Sequence, residues 1–203
     1  MRSYDQPTRH GRMPDVLFTP KQLVLTDDET TTIRLLKPTD VLPLINYFGG
    51  LSEQTRSYFS PHSFDPVTVH QICNSVEQDD TIRLVAALPN GEIVAYLLLL
   101  PGATTSDLTR YGTAGVSVQP DTTYSFAPSI ADAYQGRGLG GHLLQAAIDV
   151  ARQMEKRQLI LWGGVQANNE RAVHFYQKHG FQKVAEFERN GLNYSMVLSI
   201  ESR

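Results

Sequence analysis

The most chemically informative feature of this chain is a glycine-rich run, Tyr134-Gln-Gly-Arg-Gly-Leu-Gly-Gly141, which follows a strand-like segment and opens an amphipathic helical pattern. The first N–H groups of a helix have no intrahelical partner, and the helix dipole adds partial positive charge there. Glycines let a phosphate approach such a backbone closely. The run therefore predicts a binding site for a phosphate or pyrophosphate.

One interpretation of this run is a dinucleotide site, because Gly136, Gly138 and Gly141 fit the pattern Gly-x-Gly-x-x-Gly. That interpretation requires an acidic residue about 20 positions further on, at the end of the next strand, to bind a ribose hydroxyl. The next strand, predicted over 159–165, ends in Val165-Gln-Ala-Asn168 with no carboxylate, and Glu155 lies before the strand on the helix. A nicotinamide-dependent enzyme is therefore disfavoured.

A second block, Asn169-Glu-Arg-Ala-Val-His-Phe-Tyr-Gln-Lys-His-Gly-Phe181, favours another interpretation. Together with Gln135-x-x-Gly138-x-Gly140, it resembles the two motifs of the GNAT superfamily of N-acetyltransferases. Those motifs are Gln/Arg-x-x-Gly-x-Gly/Ala and Asn-x-x-Ala-x-x-Phe/Leu-Tyr-x-x-x-Gly-Phe. They occur here in the family's order and spacing, and the close resemblance covers roughly residues 122 to 199.

The resemblance implies a mixed α+β fold, in which a central, mostly antiparallel, twisted sheet of six to seven strands is flanked by about four helices. Apolar periodicity and turn residues agree with this order. They predict helices at 40–48, 66–76, 138–156 and 170–179. Residues 101–121 are predicted as a long loop. Residues 122–130 are predicted as a strand whose ladder Pro128 interrupts, since proline has no N–H to donate.

The resemblance also implies a site for acetyl-CoA as co-substrate. The pyrophosphate would lie over the N–H groups of the glycine-rich run, and the pantetheine arm would pair with the preceding strand, which a bulge typically splays from the next one. A backbone N–H near Ile130 would polarise the thioester carbonyl, and Arg137 could add charge at a phosphate. The implied cofactor-binding residues are Pro128, Ser129, Ile130, Gln135, Gly136, Arg137, Gly138, Leu139, Gly140, Gly141 and Asn169.

Tyr176 matches the family tyrosine that protonates the departing CoA thiolate. A phenol with a pKa near 10 is still protonated at neutral pH and can donate. No general base is assigned, because the positions where relatives carry a glutamate hold Tyr124 and Gly163-Gly164. Deprotonation of the amine could run through ordered water, or the amine could bind already neutral.

Acceptor specificity is expected to come from the first two helices, with the polar-aromatic segment 51–62 beside them, and from the loop 101–121. Arg56, Tyr58 and His62 could bind a substrate carboxylate or hydroxyl, although such segments more often pack as plain loops. Tyr124 could line the acceptor pocket or pack in the core. The histidines show no clustered ligand spacing, so no metal site is predicted.

Composition excludes several other classes of protein. The 203-residue chain has a formal net charge of −3, which provides no global basic field for nucleic acid. Its single cysteine, Cys73, cannot form an internal disulfide and suits a reducing compartment. No apolar run reaches the ~18 residues of a membrane span, and the N-terminus lacks the apolar core of a secretory signal. A cytoplasmic protein is expected, with residues 1–20 as a flexible extension and 21–203 as a single domain.

The sequence therefore predicts an acetyl-CoA-dependent N-acetyltransferase that acts on a primary amine, foremost that of a small molecule, by direct transfer in a ternary complex. A protein N-terminus or lysine is the second acceptor class. A non-catalytic acyl-CoA-binding regulatory module is a third alternative, which the missing carboxylates favour and Tyr176 opposes. The acceptor, the acyl length and the oligomeric state are left open, although the exposed final strands could pair two subunits into a homodimer.

Overall fold

The structure is a computed structural model that describes residues 18–26, 28–59 and 61–201. Within this part of the chain, nine strands form one sheet and six α-helices pack around it. The strands are β1 (Lys21–Val24), β2 (Thr30–Leu35), β3 (Ile82–Ala87), β4 (Ile93–Pro101), β5 (Thr123–Ile130), β6 (Gln158–Leu161), β7 (Val165–Gln166), β8 (Gln182–Glu188) and β9 (Leu192–Ser199). The helices are α1 (Val41–Gly50), α2 (Glu53–Tyr58), α3 (Pro66–Ser75), α4 (Thr105–Thr113), α5 (Leu139–Gln153) and α6 (Glu170–Lys178).

The strand order is β1-β2-β3-β4-β5-β6-β9-β7, with β8 paired to β9. Every pair is antiparallel except β5 and β6, which run parallel. This confirms the predicted α+β class with a mostly antiparallel sheet, although the described residues hold more strands and helices than predicted. The predicted extension over residues 1–20 lies, up to residue 17, outside the described residues.

Helix α5 forms where the sequence has apolar residues at helical spacing. Leu139, Leu143, Ala147 and Ala151 recur on one face and are almost fully buried against the sheet. A second apolar cluster, on the other sheet face, contains residues of α1 and α3. The sheet is therefore covered on both sides, and the glycine-rich run enters α5 from one end of β5.

Pro128 does not interrupt the pairing of β5 with β4, so that prediction was wrong. The register runs without a shift from Ala95 opposite Ile130 to Pro101 opposite Tyr124. The Ala131 N–H donates to Val94 O at 2.9 Å, and hydrogen-bonded pairs alternate along antiparallel strands. Pro128 therefore occupies a position that would send no N–H towards β4 in any case.

The strands β5 and β6 separate after a short parallel stretch. Their pairing ends at Phe126 and Leu161, where the Trp162 N–H donates to Phe126 O at 3.0 Å. The chain then turns at Gly163-Gly164, and β7 pairs with β9 alone among the described strands. The last four residues of β5 thus have one open edge. The expected splay is present, but the end of β6 produces it rather than a bulge in β5.

Two short helices lie where the sequence predicts no helix. Helix α4 occupies the middle of the predicted loop 101–121, and its N-terminus is capped by Thr104, whose Oγ1 accepts from the Asp107 N–H. Helix α2 lies within the segment 51–62, and Ser52 caps it in the same way through the Thr55 N–H. Both are shorter than ten residues, so their periodic signal is weak.

Candidate active site

A cleft of about 910 Å³ lies where β5 separates from β6 and β7. Its walls come from the end of β5, the glycine-rich run, α6, β7 and α2. The lining residues that belong to the predicted site are Tyr58, Pro128, Ser129, Ile130, Gln135, Gly136, Gly138, Gly140, Gly141, Asn169 and Tyr176. One cavity therefore brings together most of the residues that the two motifs single out.

The glycine-rich run has backbone geometry suited to an anion. Gly138 is the N-cap of α5 with φ of +84°, and no side chain caps the helix there. The Gly141 N–H bonds back to Gly138 O at 3.1 Å, so the N–H groups of Leu139 and Gly140 are the ones without a partner inside the helix. A Cβ on Gly140 would lie 3.3 Å from the Phe175 ring, so glycine lets α6 pack close to this turn. These features fit a pyrophosphate.

The open edge of β5 adds a second set of backbone groups. The Ala131 N–H bonds to Val94 O of β4. Because the backbone groups of successive residues point to opposite edges of a strand, the N–H and C=O of Ile130 and the C=O of Pro128 point away from β4 and towards the cleft. The C=O of Ile130 accepts from Gln135 Nε2 at 3.1 Å. An extended ligand with amide groups could pair with this edge as an extra strand would.

Tyr176 lies on α6 and is 8% exposed, packed between the rings of Phe126, Phe175 and Phe181. Its hydroxyl has no hydrogen-bond partner among the described residues. It is also not one of the unpaired polar atoms of these residues that are fully shielded from solvent. Burial raises the pKa of Tyr176 well above its ordinary value of 10. The phenol therefore stays protonated and is available as a donor to the cleft.

Asn169 combines two roles that the sequence left open. Its Oδ1 accepts from the Ala172 N–H at 3.2 Å, which caps α6, and the residue also lines the cleft. His179, at the opposite end of α6, also lines the cleft; its Nδ1 bonds to Phe175 O at 2.8 Å and its ring packs against the Phe175 ring. His179 stands in the second motif, but its orientation depends on contacts that the sequence does not reveal.

Three candidate residues turn away from the cleft. Arg137 pairs with Glu29 at 2.7 Å and stacks on Tyr134, so it faces the β1–β2 turn. Arg56 donates to the carbonyls of Phe48 and Gly49, which end α1. Leu139 offers the cleft its N–H alone, because its side chain is 1% exposed in the core.

Tyr124 also belongs to the core. It is 2% exposed, packs within the apolar cluster that contains α5, and carries Lys156 Nζ 5.0 Å from its ring centre. It is not among the residues that line the cleft. The core-packing interpretation of Tyr124 thus fits the geometry, and the acceptor pocket must use other side chains.

His62 lies in an aromatic cluster with Phe48, Phe59, Phe64 and Tyr96 and not in the cleft wall. Its Nδ1 bonds to Ser63 O at 2.8 Å, and its enclosed Nε2 has no partner among the described residues. Burial lowers the pKa of His62, and the nearby Arg83 adds to this against the opposite pull of Ser63 and Asp65.

This environment predicts a pH-dependent stability. Because the pKa of His62 is lower in the folded state, the unfolded chain binds more protons as pH falls below about 6.5, and stability is lost in that direction. We expect a lower Tm at pH 5 than at pH 8, and a smaller difference in His62→Phe, which keeps an aromatic ring in the cluster. Calorimetry at both pH values measures this. An equal pH difference in the two proteins would contradict the assignment.

The carboxylates that line the cleft are Asp132 and Glu170. Asp132 follows β5, and both of its oxygens accept hydrogen bonds from Ser52 and Thr55. Burial would raise its pKa, but these bonds outweigh burial and lower it. Glu170 lies in the first turn of α6, on the exposed rim. Neither residue stands at a position where the family pattern led us to expect a base.

A buried ion pair supports the turn that ends β6. Asp107 of α4 is fully buried, pairs with Arg110, and accepts from the Gly163 N–H at 3.2 Å. Arg189 donates to Gly163 O at 2.7 Å. The turn that opens the cleft is therefore fixed on both its N–H and its C=O side by charged groups.

Two other kinds of site are absent from the described residues. No group of three or more His, Cys, Asp and Glu side chains within residues 18–26, 28–59 and 61–201 is arranged to hold a metal ion. In the same ranges, none of the helices is long and apolar enough to cross a bilayer.

Comparison with known proteins agrees with this geometry. The Acetyltransferase (GNAT) family matches residues 50–181. The GNAT domain of S. lividans PAT has the same fold, with a TM-score of 0.69 and 21% identity over 89% of this chain and 96% of that one. The structure of yncA from Salmonella typhimurium, solved with its cofactor acetyl-CoA, gives a TM-score of 0.62 and 17% identity over 85% of this chain and 95% of that one.

A curated relative matches over a shorter stretch. The L-amino acid N-acyltransferase MnaT of Escherichia coli K12 is 31% identical over 67 residues, which are 33% of this chain and 38% of that protein. The family match covers more than half of the chain and includes both motifs that line the cleft. The chain therefore belongs to the GNAT acetyltransferase family.

Proposed function

We propose that this enzyme transfers an acetyl group from acetyl-CoA to the primary amine of a small molecule, directly and in a ternary complex. The observation that carries the proposal is the meeting of three features in one cleft. These are the unpaired N–H groups that begin α5, the open edge of β5, and the hydroxyl of Tyr176. Each fits a different part of an acyl-CoA.

The chain's own groups would hold the co-substrate as follows. The N–H groups of Leu139 and Gly140 bind the pyrophosphate, where the dipole of α5 favours negative charge. The amides of the pantetheine arm pair with Pro128 and Ile130 along the open edge of β5. The Ile130 N–H donates to the thioester oxygen, where negative charge develops during attack.

The reaction requires one bond to form and one to break. The amine lone pair attacks the carbonyl carbon, the C–N bond forms, and the C–S bond breaks. The amine loses a proton to solvent, and Tyr176 gives its proton to the departing thiolate, so that charge and protons balance. The phenol regains its proton from water.

A small acceptor is favoured by the wall that α2 builds across the cleft. Gln54, Thr55, Tyr58 and Phe59 line this wall, and Gln54 Nε2 donates to the Tyr58 hydroxyl at 3.2 Å. The wall is uncharged and half aromatic, which suits the apolar part of a compact amine. MnaT, the curated relative, is named for amino-acid acceptors, so amino acids belong among the first compounds to test.

Thiol release from acetyl-CoA tests the proposal. The assay should include amines, amino acids, aminosugars and peptides, with a reaction lacking acceptor as the control. We expect acceptor-dependent release with a small amine and little release with peptides. If only peptides support thiol release, the acceptor is a protein and not a small molecule. Tight coenzyme A binding without release from any acceptor would favour a regulatory module.

A further inference from the structure

Helix α2 spans the cleft and is attached to both of its sides. At one end, Ser52 and Thr55 bond to Asp132, which directly follows β5. At the other end, the backbone oxygen of Ser57 accepts from Gln166 Nε2 of β7 at 2.9 Å. Because β5 and β7 are the two separated sides of the sheet, the helix forms a strap between them.

The attachment at Asp132 is built from three hydrogen bonds. The carboxylate accepts from the Ser52 N–H at 2.9 Å, from Ser52 Oγ at 2.8 Å and from Thr55 Oγ1 at 2.7 Å. Hydrogen bonds to an ionised acceptor are shorter and stronger than neutral ones. This end of α2 is therefore fixed relative to β5 while Asp132 is ionised.

Thr55 extends this attachment to the glycine-rich run. Its Oγ1 donates to Asp132 and accepts from Gln135 Nε2 at 3.3 Å. Gln135 is the first residue of the pyrophosphate motif, and its amide also bonds to Ile130 O and to Arg171. A single hydroxyl thus joins the α2 strap to the backbone groups that face an acyl-CoA.

We propose that Thr55 is a positioning residue that couples acyl-CoA binding to the ordering of α2, the wall of the acceptor pocket. The inference rests on the proposed function, because it takes the glycine-rich run as the acyl-CoA site. Binding there fixes Gln135, which orients Thr55 Oγ1 and strengthens its bond to Asp132. Two sites become linked when one ligand stabilises groups that the other needs in place. Helix α2 is then held more firmly in place once the acyl donor has bound.

Hydrogen exchange with coenzyme A as the probe tests this coupling. In the wild-type protein, we expect saturating coenzyme A to slow amide exchange in residues 136–141 and also, by about fivefold or more, in α2. In Thr55→Val, which keeps the side-chain shape and removes the hydroxyl, the run should still be protected while the protection of α2 is lost. In Thr55→Ser, which keeps the hydroxyl and removes the methyl group, the protection of α2 should return.

The matched control is Thr109→Val. Thr109 is an exposed threonine on α4 whose hydroxyl bonds only within its own helix, to Thr105 O, and it does not line the cleft. It should preserve both effects of coenzyme A. A purely packing role for Thr55 gives the opposite pattern, in which the valine variant behaves as wild type and the serine variant does not.

The outcomes separate the two proposals. If coenzyme A protects the glycine-rich run but leaves α2 unchanged in the wild type, the coupling is wrong and the proposed function stands. If Thr55→Val retains the protection of α2, the coupling does not pass through this hydroxyl and the inference fails. If coenzyme A protects neither segment, the acyl-CoA site itself is misplaced.

Discussion

Replacing Tyr176 with phenylalanine is expected to lower kcat by about two orders of magnitude, the lower range for loss of a general acid. The phenol is protonated, has no other partner among the described residues, and faces the cleft beside the open edge of β5. The substitution removes one oxygen and keeps the ring packed against Phe126 and Phe181. Steady-state thiol release and coenzyme A titration, run side by side, separate chemistry from binding.

Coenzyme A affinity should change little in this variant, because the ring and not the hydroxyl shapes the cleft. Tyr194→Phe is the matched control, since Tyr194 is a half-buried tyrosine on β9 that does not line the cleft. Because burial raises the pKa of Tyr176, loss of its proton should cause no alkaline decline in kcat below about pH 10 in the wild-type protein or in Tyr194→Phe. A kcat within a factor of about two of wild type would remove Tyr176 from the chemistry.

Replacing Gly164 with alanine is expected to cost about 3 kcal/mol of unfolding free energy. The residue has φ of +76°, where a Cβ is strained by about 1–2 kcal/mol. An added Cβ would also lie 2.8 Å from both the Phe187 ring and the Tyr194 carbonyl oxygen, and such overpacking costs about 1–3 kcal/mol. For a chain of this size, the Tm should fall by roughly 6–12 °C.

Gly91→Ala provides the control for this clash. Gly91 has φ of +88° in the turn between β3 and β4, and a Cβ there would meet no atom within 4 Å. Gly91→Ala should therefore lose only the unfolding free energy that backbone strain costs. The difference in unfolding free energy between the two variants then measures the crowding around Gly164, at the turn that opens the cleft. Equal losses of unfolding free energy in the two variants would mean that the Phe187 ring and the β9 backbone shift easily to make room for the Cβ. The turn would then not be rigid.

Much of the site could be predicted because its signals are local. The glycines, the apolar spacing of α5 and the second motif each depend on residues close together in sequence. They indicated the family, the sheet class and part of the cleft lining. The function of Tyr176 and of the cofactor-binding residues stays a prediction until it is tested.

The rest depends on partners that are distant in the chain. Arg137 has the sequence context of a phosphate ligand, but it pairs with Glu29, 108 positions away. The Ser52 and Thr55 contacts with Asp132 span about 80 positions, so no local pattern marks α2 as a strap. The open edge of β5 arises from where β6 ends, which is a property of the sheet and not of β5 itself.

The most direct test of the central claim is an amide NMR titration of the wild-type protein with coenzyme A. We expect saturable shifts that are largest at Ile130, Leu139 and Gly140, whose N–H groups face the cleft between β5 and the start of α5. No saturable shifts, or shifts confined to surfaces away from this cleft such as β8, would contradict it.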